Sequence, residues 1–356
     1  MCIPKGGRVA GGNLWGEATK APTEPTGETK PRKIKEENTM NAKTARAIEE
    51  MKKQTIGVEI EMAEITRNQA IKVIAKHFGT TGTINHDGGT YDAWSCKDTQ
   101  GRKWTITRDS SIHASTDAKK TELATPILTY ADIETLQEIA RELRKAGAIS
   151  NPKHGCGVHI HIGANGHTPK TLRNLANIMA SHESLIADAL NLDRGRMDRY
   201  CRMVSPRFLE RLNKEKPETM SKLADVWYEA NGANYGRTQH YNDSRYHMLN
   251  LHATFTKGTI EFRLFQFDNP TAERKGGIHA GQLKSYIQLC LALSQMAKDA
   301  KSASPKEQQK ENPKYAMRTW LLRLGFIGEE FATARDILTR NLDGDTAFRH
   351  GRTTAA

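Results

Sequence analysis

The stretch Thr259-Ile260-Glu261-Phe262-Arg263-Leu264-Phe265-Gln266-Phe267 decides the fold. As far as Leu264 its side chains alternate between polar and apolar, the period of two that marks a strand with one face buried. Tyr246 to Phe255 alternates in the same way, and Lys257-Gly258 supplies a turn, so the two segments are expected to form a hairpin. With Thr256 set against Thr259, His252 lies opposite Arg263 and Thr254 opposite Glu261. Opposed residues share a face. The expected core face therefore carries Leu249, Leu251, Ala253, Phe255, Ile260, Phe262 and Leu264. The other face carries Asn250, His252, Thr254, Glu261 and Arg263, with Phe265 interrupting it.

The same construction occurs twice more. Gly57-Val58-Glu59-Ile60-Glu61-Met62 sets two carboxylates opposite Val58, Ile60 and Met62. Gly157-Val158-His159-Ile160-His161-Ile162-Gly163 sets two imidazoles opposite Val158, Ile160 and Ile162. In each, the i, i+2 spacing holds the polar pair about 6–7 Å apart along one face. Three such strands predict a sheet that packs its back and carries chemistry on its front.

The bulk properties narrow the class. At 356 residues the chain has room for one large domain or two ordinary ones. Hydrophobic residues make up 37%, and no apolar run approaches the ~20 residues of a membrane-spanning helix. Met1 to Trp15 lacks the apolar stretch of a secretory signal, and five cysteines without framework spacing fit a reducing compartment. A cytoplasmic location is expected. The formal net charge of +12 suits a solvated surface or an anionic partner such as ATP, an acidic peptide or nucleic acid. It does not choose among them, no zinc-finger or RNP-type signature favours nucleic acid, and the oligomeric state stays open.

Along the chain, residues 1–50 are rich in Gly, Pro, Thr, Lys and Glu and are expected to be a disordered basic tail, with a short charged helix possible over 41–53. Residues 54–302 are expected to form the catalytic domain, and 306–356 a helical extension with a polar tail. Within the domain, Thr55 to Ala63 reads as a strand, and Asn68 to Phe78 as a helix capped by Thr66 and closed by Gly79. Tyr91–Cys96 and Arg102–Thr107 read as a hairpin around Asp98 to Gly101, and Lys120 to Leu128 as a strand holding Glu122. Helices are predicted from Asp132 to Ala146, from Thr168-Pro169 to about Leu190, near Glu218 to Glu229, over 276–302, and from Trp320 to Leu342 with a break at Gly325 to Gly328. The rest of 193–245 reads as irregular. Its arginines, Arg194, Arg196, Arg199 and Arg202, are either a solvated face or clamps for phosphate or carboxylate.

Four strand carboxylates, Glu59, Glu61, Glu122 and Glu261, repel one another if they share a face unless a cation lies between them. An oxygen-rich site suits Mg²⁺ or Mn²⁺, and Arg263 adds a guanidinium that grips phosphate. Carboxylates for metal and arginine for phosphate are the equipment of phosphoryl transfer. A P-loop does not account for the strand, glycine and helix after His161, because Gly163 is followed five residues later by Thr168, and Pro169 precedes Lys170. A zinc site at His154, Cys156, His159 and His161 competes, but leaves the glutamates unexplained.

Four segments in order resemble the amidoligases, ATP-dependent carboxylate–amine ligases of the glutamine synthetase superfamily, which also holds the glutamate–cysteine ligases. They are Gly57-Val58-Glu59-Ile60-Glu61, Asp109-Ser110-Ser111 with Glu122-Leu123-Ala124-Thr125-Pro126, Cys156-Gly157-Val158-His159-Ile160-His161, and Gly258-Thr259-Ile260-Glu261-Phe262-Arg263-Leu264-Phe265. The resemblance covers about 55–270. It implies an α+β fold in which an antiparallel sheet curves into a half-barrel with helices on the convex face. It implies ATP and Mg²⁺ or Mn²⁺ as cofactors, with Glu59, Glu61, Glu122, His159 and Glu261 around the metals and either His159 or His161 facing them. Arg263, His161 and Glu61 would reach the nucleotide, with Arg263 on the γ-phosphoryl group, and Arg263, Glu261 and Glu59 would be catalytic. An acyl phosphate would form and be taken by an amine. Asp109, Arg245, Asn250 and His252 are expected substrate contacts, the substrates being small-molecule or peptide acids and amines. A metal-dependent hydrolase or phosphotransferase on the same strands, and a non-catalytic basic binding protein, are the competing readings.

Overall fold

The computed structural model describes residues 41–239, 241–307 and 311–347. Its elements, in chain order, are α1 (Ala42–Lys52), β1 (Ile56–Met62), α2 (Arg67–Phe78), β2 (Asn85–Gly88), β3 (Ala93–Lys97), β4 (Lys103–Thr107), β5 (Thr121–Ala124), α3 (Ile133–Lys145), β6 (Val158–Gly163) and α4 (Pro169–Leu190). There follow α5 (Arg194–Arg199), α6 (Pro206–Glu215), α7 (Met220–Ala230), β7 (Leu249–Asn250), α8 (His252–Lys257), β8 (Thr259–Phe265), α9 (Ala280–Asp299), α10 (Pro313–Arg323) and α11 (Ala332–Thr339).

The eight strands make one sheet in the order β2-β3-β4-β5-β1-β6-β8-β7, and every neighbouring pair is antiparallel. Its apolar side chains, among them Val58, Ile60, Ile106, Leu123, Val158, Ile160, Ile260 and Phe262, merge into one buried core with the helices. Helix α9 is the spine of that core, buried along nearly its whole length and packed against α1, α3, α4, α11 and β6. The fold is α+β: an open antiparallel sheet with helices.

Local signals explain most element ends. Thr66 and Gln69 form a reciprocal capping box on α2, and Gly79 closes it with φ 69°. Thr168 caps α4, with Pro169 in its first turn. The last helices start earlier than expected, α10 at Pro313 behind an Asn312 cap. Helices α5 and α6 lie where irregular chain was expected. Their cap residues, Asp193 and Ser205, accept from the Arg196 and Phe208 N–H groups. The expected disordered tail to residue 50 overlaps α1, which buries Ile48 and Met51 in the core. The part of that expectation covering 1–40, and the polar tail beyond 347, lie outside the described residues.

The hairpin expected over 246–267 is half right. β8 forms, but its partner β7 is two residues long, with Leu249 opposite Phe262 and Asn250 opposite Glu261. The chain then coils into α8, started by the Asn250 Oδ1 acceptor for the His252 N–H and closed by Gly258 with φ 70°. Gly258 thus caps a helix instead of turning a hairpin. A glycine with positive φ serves both purposes, which is why the sequence could be read either way. His252 consequently does not face Arg263, and Thr254 does not face Glu261.

Phe265, the residue that spoiled the polar face, is explained by a β-bulge. β6 and β8 pair Ile160 with Phe262 but Val158 with Phe265, so an extra residue of β8 is inserted after Phe262. The bulge resets the alternation, and Phe265 turns inward to stack on Tyr286 of α9 with ring centroids 4.5 Å apart.

Candidate active site

Strand register decides which polar side chains meet. Glu61 on β1 stands opposite Glu122 on β5, which stands opposite Thr107 on β4. Glu59 stands opposite His159 on β6. His161 stands opposite Glu261 on β8, and Glu261 opposite Asn250 on β7. Because opposed side chains share a face, six neighbouring strands contribute to one polar patch. Gly57 stands opposite His161, where a Cβ would lie 3.3 Å from the His161 Cβ, so glycine leaves the imidazole room.

The contacts within the patch are short. His159 Nδ1 lies 3.0 Å from Glu59 Oε2, and its Nε2 3.6 Å from Glu61 Oε1. His161 Nε2 lies 3.3 Å from Glu59 Oε1 and 3.9 Å from Glu261 Oε1. Arg263 Nη1 pairs with Glu261 Oε1 at 2.5 Å, while Asn250 Nδ2 donates to Glu261 Oε2 at 2.6 Å. The Gly157 N–H donates to Glu61 Oε2 at 2.6 Å.

These neighbours set the charge states. Burial opposes ionisation of Glu59, but the charge of His161 and the hydrogen bond and charge of His159 outweigh it and hold the carboxyl well below the ordinary range. Burial also opposes ionisation of Glu261, and Arg263 and His161 outweigh it, holding the group at about 2. Glu122 goes the other way. Burial, then the charges of Glu59 and Glu61, push its carboxyl well above the ordinary range. The patch therefore holds more carboxylate than its own cations neutralise.

A divalent cation would relieve that excess, and the donors suit one. Among the described residues, potential ligand atoms gather within 4.8 Å of one another in three overlapping sets: Glu59, His161 and Glu261; Glu59, Glu122 and His159; Glu61, Asp109 and Glu122. His161 Nε2 is buried without a hydrogen-bond partner, and its Nδ1 lies 3.0 Å from Thr259 Oγ1, the arrangement of a ligating imidazole oriented through its other nitrogen. Carboxylate oxygens with one or two imidazoles fit Mg²⁺ or Mn²⁺. The zinc alternative does not assemble: no such set includes His154 or Cys156, the His154 ring is turned to the His113 carbonyl at 2.9 Å, and burial pushes the Cys156 thiol far up.

The patch opens onto a cavity of about 590 Å³. Of the residues singled out from the sequence, Glu59, Glu61, Asp109, Glu122, His159, Arg245 and Arg263 line it, and so does Arg196, alone among the four arginines read as either clamps or a solvated face. His161 and Glu261 join the patch through Glu59 without lining the cavity. Asp109 accepts from Ser111 N–H and Oγ, both at 2.7 Å, which shapes the loop carrying it. Arg245 lies over the rings of Tyr241 and Tyr246, 5.5 and 5.8 Å from their centroids. Two expected substrate contacts are not brought to the cavity. Asn250 is buried at the β7 edge of the patch, where it supports Glu261. The His252 ring is taken by Tyr228 Oη at 2.7 Å and the Gln239 carbonyl at 2.9 Å. Sequence reasoning missed the tyrosine wall of Tyr91, Tyr200, Tyr241 and Tyr246. No local periodicity marks it; the tyrosine-rich stretch 235–246 was its one visible sign.

The profile of the amidoligase enzyme family matches residues 52–294, more than half of the chain. No curated protein matches. The crystal structure of a bifunctional glutathione synthetase from Pasteurella multocida is similar at 13% identity and a TM-score of 0.43, over 84% of this chain and 48% of that one, so this chain spans about half of that protein's length. With the strand carboxylates and imidazoles of the matched segment gathered on one sheet face, the chain belongs to the amidoligase family of enzymes.

Proposed function

We propose that this enzyme is an ATP- and Mg²⁺-dependent carboxylate–amine ligase that forms an amide through an acyl phosphate. One observation carries the reading: a largely enclosed carboxylate patch too negative to stand alone, with the Arg263 guanidinium at its edge and a cavity in front. Glu59, Glu61, Glu122, His159 and Glu261 would hold Mg²⁺ or Mn²⁺, with His161 as a further ligand. When bound, the metal would neutralise triphosphate charge so that a second anion can approach.

In the first half-reaction an oxygen of the acid substrate attacks the γ-phosphorus, the bond to the bridging oxygen breaks, and ADP leaves with that electron pair. Arg263 would hold the transferring phosphoryl oxygens, kept charged by Glu261, Glu59 and Glu61 despite its burial. In the second, the amine nitrogen attacks the acyl carbon, phosphate leaves with the carbon–oxygen pair, and the ammonium proton passes to a base. Arg245 and Asp109, both on the cavity wall, would contact the substrates. We further infer the half-barrel curvature of the glutamine synthetase superfamily, a catalytic domain over 54–302 flanked by α1 and by α10 with α11, and a reducing, cytoplasmic setting for the buried free cysteines.

The test is ADP release across panels of acids and amines, with Arg263→Ala as the control. Turnover that needs both an acid and an amine, and falls at least about 100-fold in Arg263→Ala, supports the ligase. Turnover without an amine would make it a hydrolase or phosphotransferase. No binding of Mg·ATP would leave a non-catalytic binding protein.

A further inference from the structure

Three arginines are buried among the described residues: Arg67, Arg196 and Arg263. Arg67 pairs with Asp92 and Arg263 with Glu261. Arg196, 4% exposed, has no carboxylate in ion-pair contact. Its Nη2 makes two long hydrogen bonds, to the carbonyls of Arg263 at 3.3 Å and Phe265 at 3.4 Å, the groups around the β8 bulge. Among the described residues neither Nη1 nor Nε has an oxygen acceptor, Nε is fully buried, and the Cys201 thiol lies close to the group. Yet the residue lines the cavity.

A buried guanidinium without a counter-anion is costly, and the chain has made room for this one. Gly157, at the start of β6, lies against it: a Cβ there would sit 2.3 Å from Nη2 and 2.6 Å from Cζ, so any larger residue would displace the group. The same Gly157 donates its N–H to Glu61. The guanidinium is thus seated at the Glu61 end of the carboxylate patch, while Arg263 pairs with Glu261 at the other.

We propose that Arg196 is an oxyanion-binding residue: its Nη1 takes a carboxylate or phosphoryl oxygen of a reactant in the cavity. The charge it lacks arrives with the ligand. The proposal rests on the ligase reading only for what the reactants are; the vacant donors and missing counter-charge stand without it.

The purified full chain would be titrated with inorganic phosphate, acetate, and Mg²⁺ with a non-hydrolysable ATP analogue, following thermal stability and calorimetric affinity. Arg196→Gln keeps an amide donor for the bulge carbonyls and removes the charge; Arg196→Lys keeps the charge and loses the fork; Gly157→Ala displaces the guanidinium without deleting it. A stabilising response to oxyanion that is weakened about 10- to 100-fold in Arg196→Gln and Gly157→Ala, and less in Arg196→Lys, is expected. Weakening confined to phosphate and the nucleotide assigns a phosphoryl group; weakening confined to acetate assigns the acid substrate. Folded variants that bind all three probes as the wild type does overturn the proposal and reduce Arg196 to a brace for the bulge. If Arg196→Gln fails to fold, the Gly157→Ala and Arg196→Lys affinities decide in the same way. No turnover is measured, so a wild type that binds oxyanion through Arg196 but makes no amide refutes only the ligase reading.

Discussion

Glu261→Gln and Glu122→Gln each turn a carboxyl of the same sheet face into an amide, but only the first removes a standing negative charge, and they are expected to affect metal-free stability differently. Glu261 takes Asn250 Nδ2 on Oε2 at 2.6 Å and Arg263 Nη1 on Oε1 at 2.5 Å. The Asn250 amide cannot reverse without losing the His252 N–H that its Oδ1 accepts at 2.9 Å. A glutamine amide has one acceptor, so one of the two donors must face an –NH₂, and Arg263 loses its carboxylate. Breaking a buried pair from one side costs about 3–5 kcal/mol. The low end, about 3 kcal/mol, applies because Glu59 and Glu61 also attract Arg263. Glu122 has no such partner: among the described residues its side-chain hydrogen bond comes from Thr107 Oγ1 at 3.3 Å, and burial with the charges of Glu59 and Glu61 already disfavours its ionised form. An amide there keeps the neutral form that burial and those charges favour, so stability holds or rises. In the proposed metal site each variant would lose a carboxylate oxygen, and both should then lose most of the stabilisation expected from Mg²⁺. Urea unfolding followed by tryptophan fluorescence, in chelator and then in excess Mg²⁺, reads all of this at once. The electrostatic reasoning fails if, in chelator, Glu122→Gln is the less stable of the two, or if Mg²⁺ stabilises both variants as much as the wild type.

Two further outcomes test parts of the fold that support the site. Glu183 on α4 is buried with its carboxyl shared by the Val204 N–H, and burial pushes it up to about 8 from 4.5. The folded chain then holds a proton that the unfolded chain releases, so its stabilising contribution is full below about pH 4.5, declines as pH rises, and is lost above about 8; Glu183→Gln should flatten that slope and gain on the order of 4 kcal/mol at pH 8, which an unchanged thermal profile from pH 5 to pH 8 would disprove. Arg67 ties Asp92 to the carbonyls of Asp117 and Lys120 at 2.9 and 3.0 Å, so Arg67→Met should cost about 3 kcal/mol and speed hydrogen exchange in the 109–120 loop; unchanged exchange there would show that the loop is held by other contacts.

The front of the sheet could be read from sequence because its positions obey a local rule. Glu59 and Glu61, His159 and His161, and Glu122 sit on strands whose alternation runs unbroken, and each strand has a neighbour on both sides. Period two then fixes the face, and pairing needs only the register. The rule failed at two places, each for a stated reason. At Lys257-Gly258 a left-handed glycine closes a helix where it was read as turning a hairpin, which moved His252 and Thr254 off the expected face. At Phe265 the bulge shifted the alternation by one.

The cavity walls follow no such rule. Arg196 comes from a six-residue helix, Tyr91 from the turn before β3, Tyr241 from the chain between α7 and β7, and Arg245 from a single 3-10 turn, Asp243–Arg245. What places them is contact with distant chain, as when Tyr91 Oη meets Tyr241 Oη at 2.9 Å across 150 residues of sequence. The bulge joins the two kinds of information. By inserting a residue into β8 it turns Phe265 into the core and leaves the carbonyls of Arg263 and Phe265 for Arg196. The break in the pattern at Phe265 was therefore itself a sign, visible in the sequence, that something from outside the sheet must come to meet β8 there.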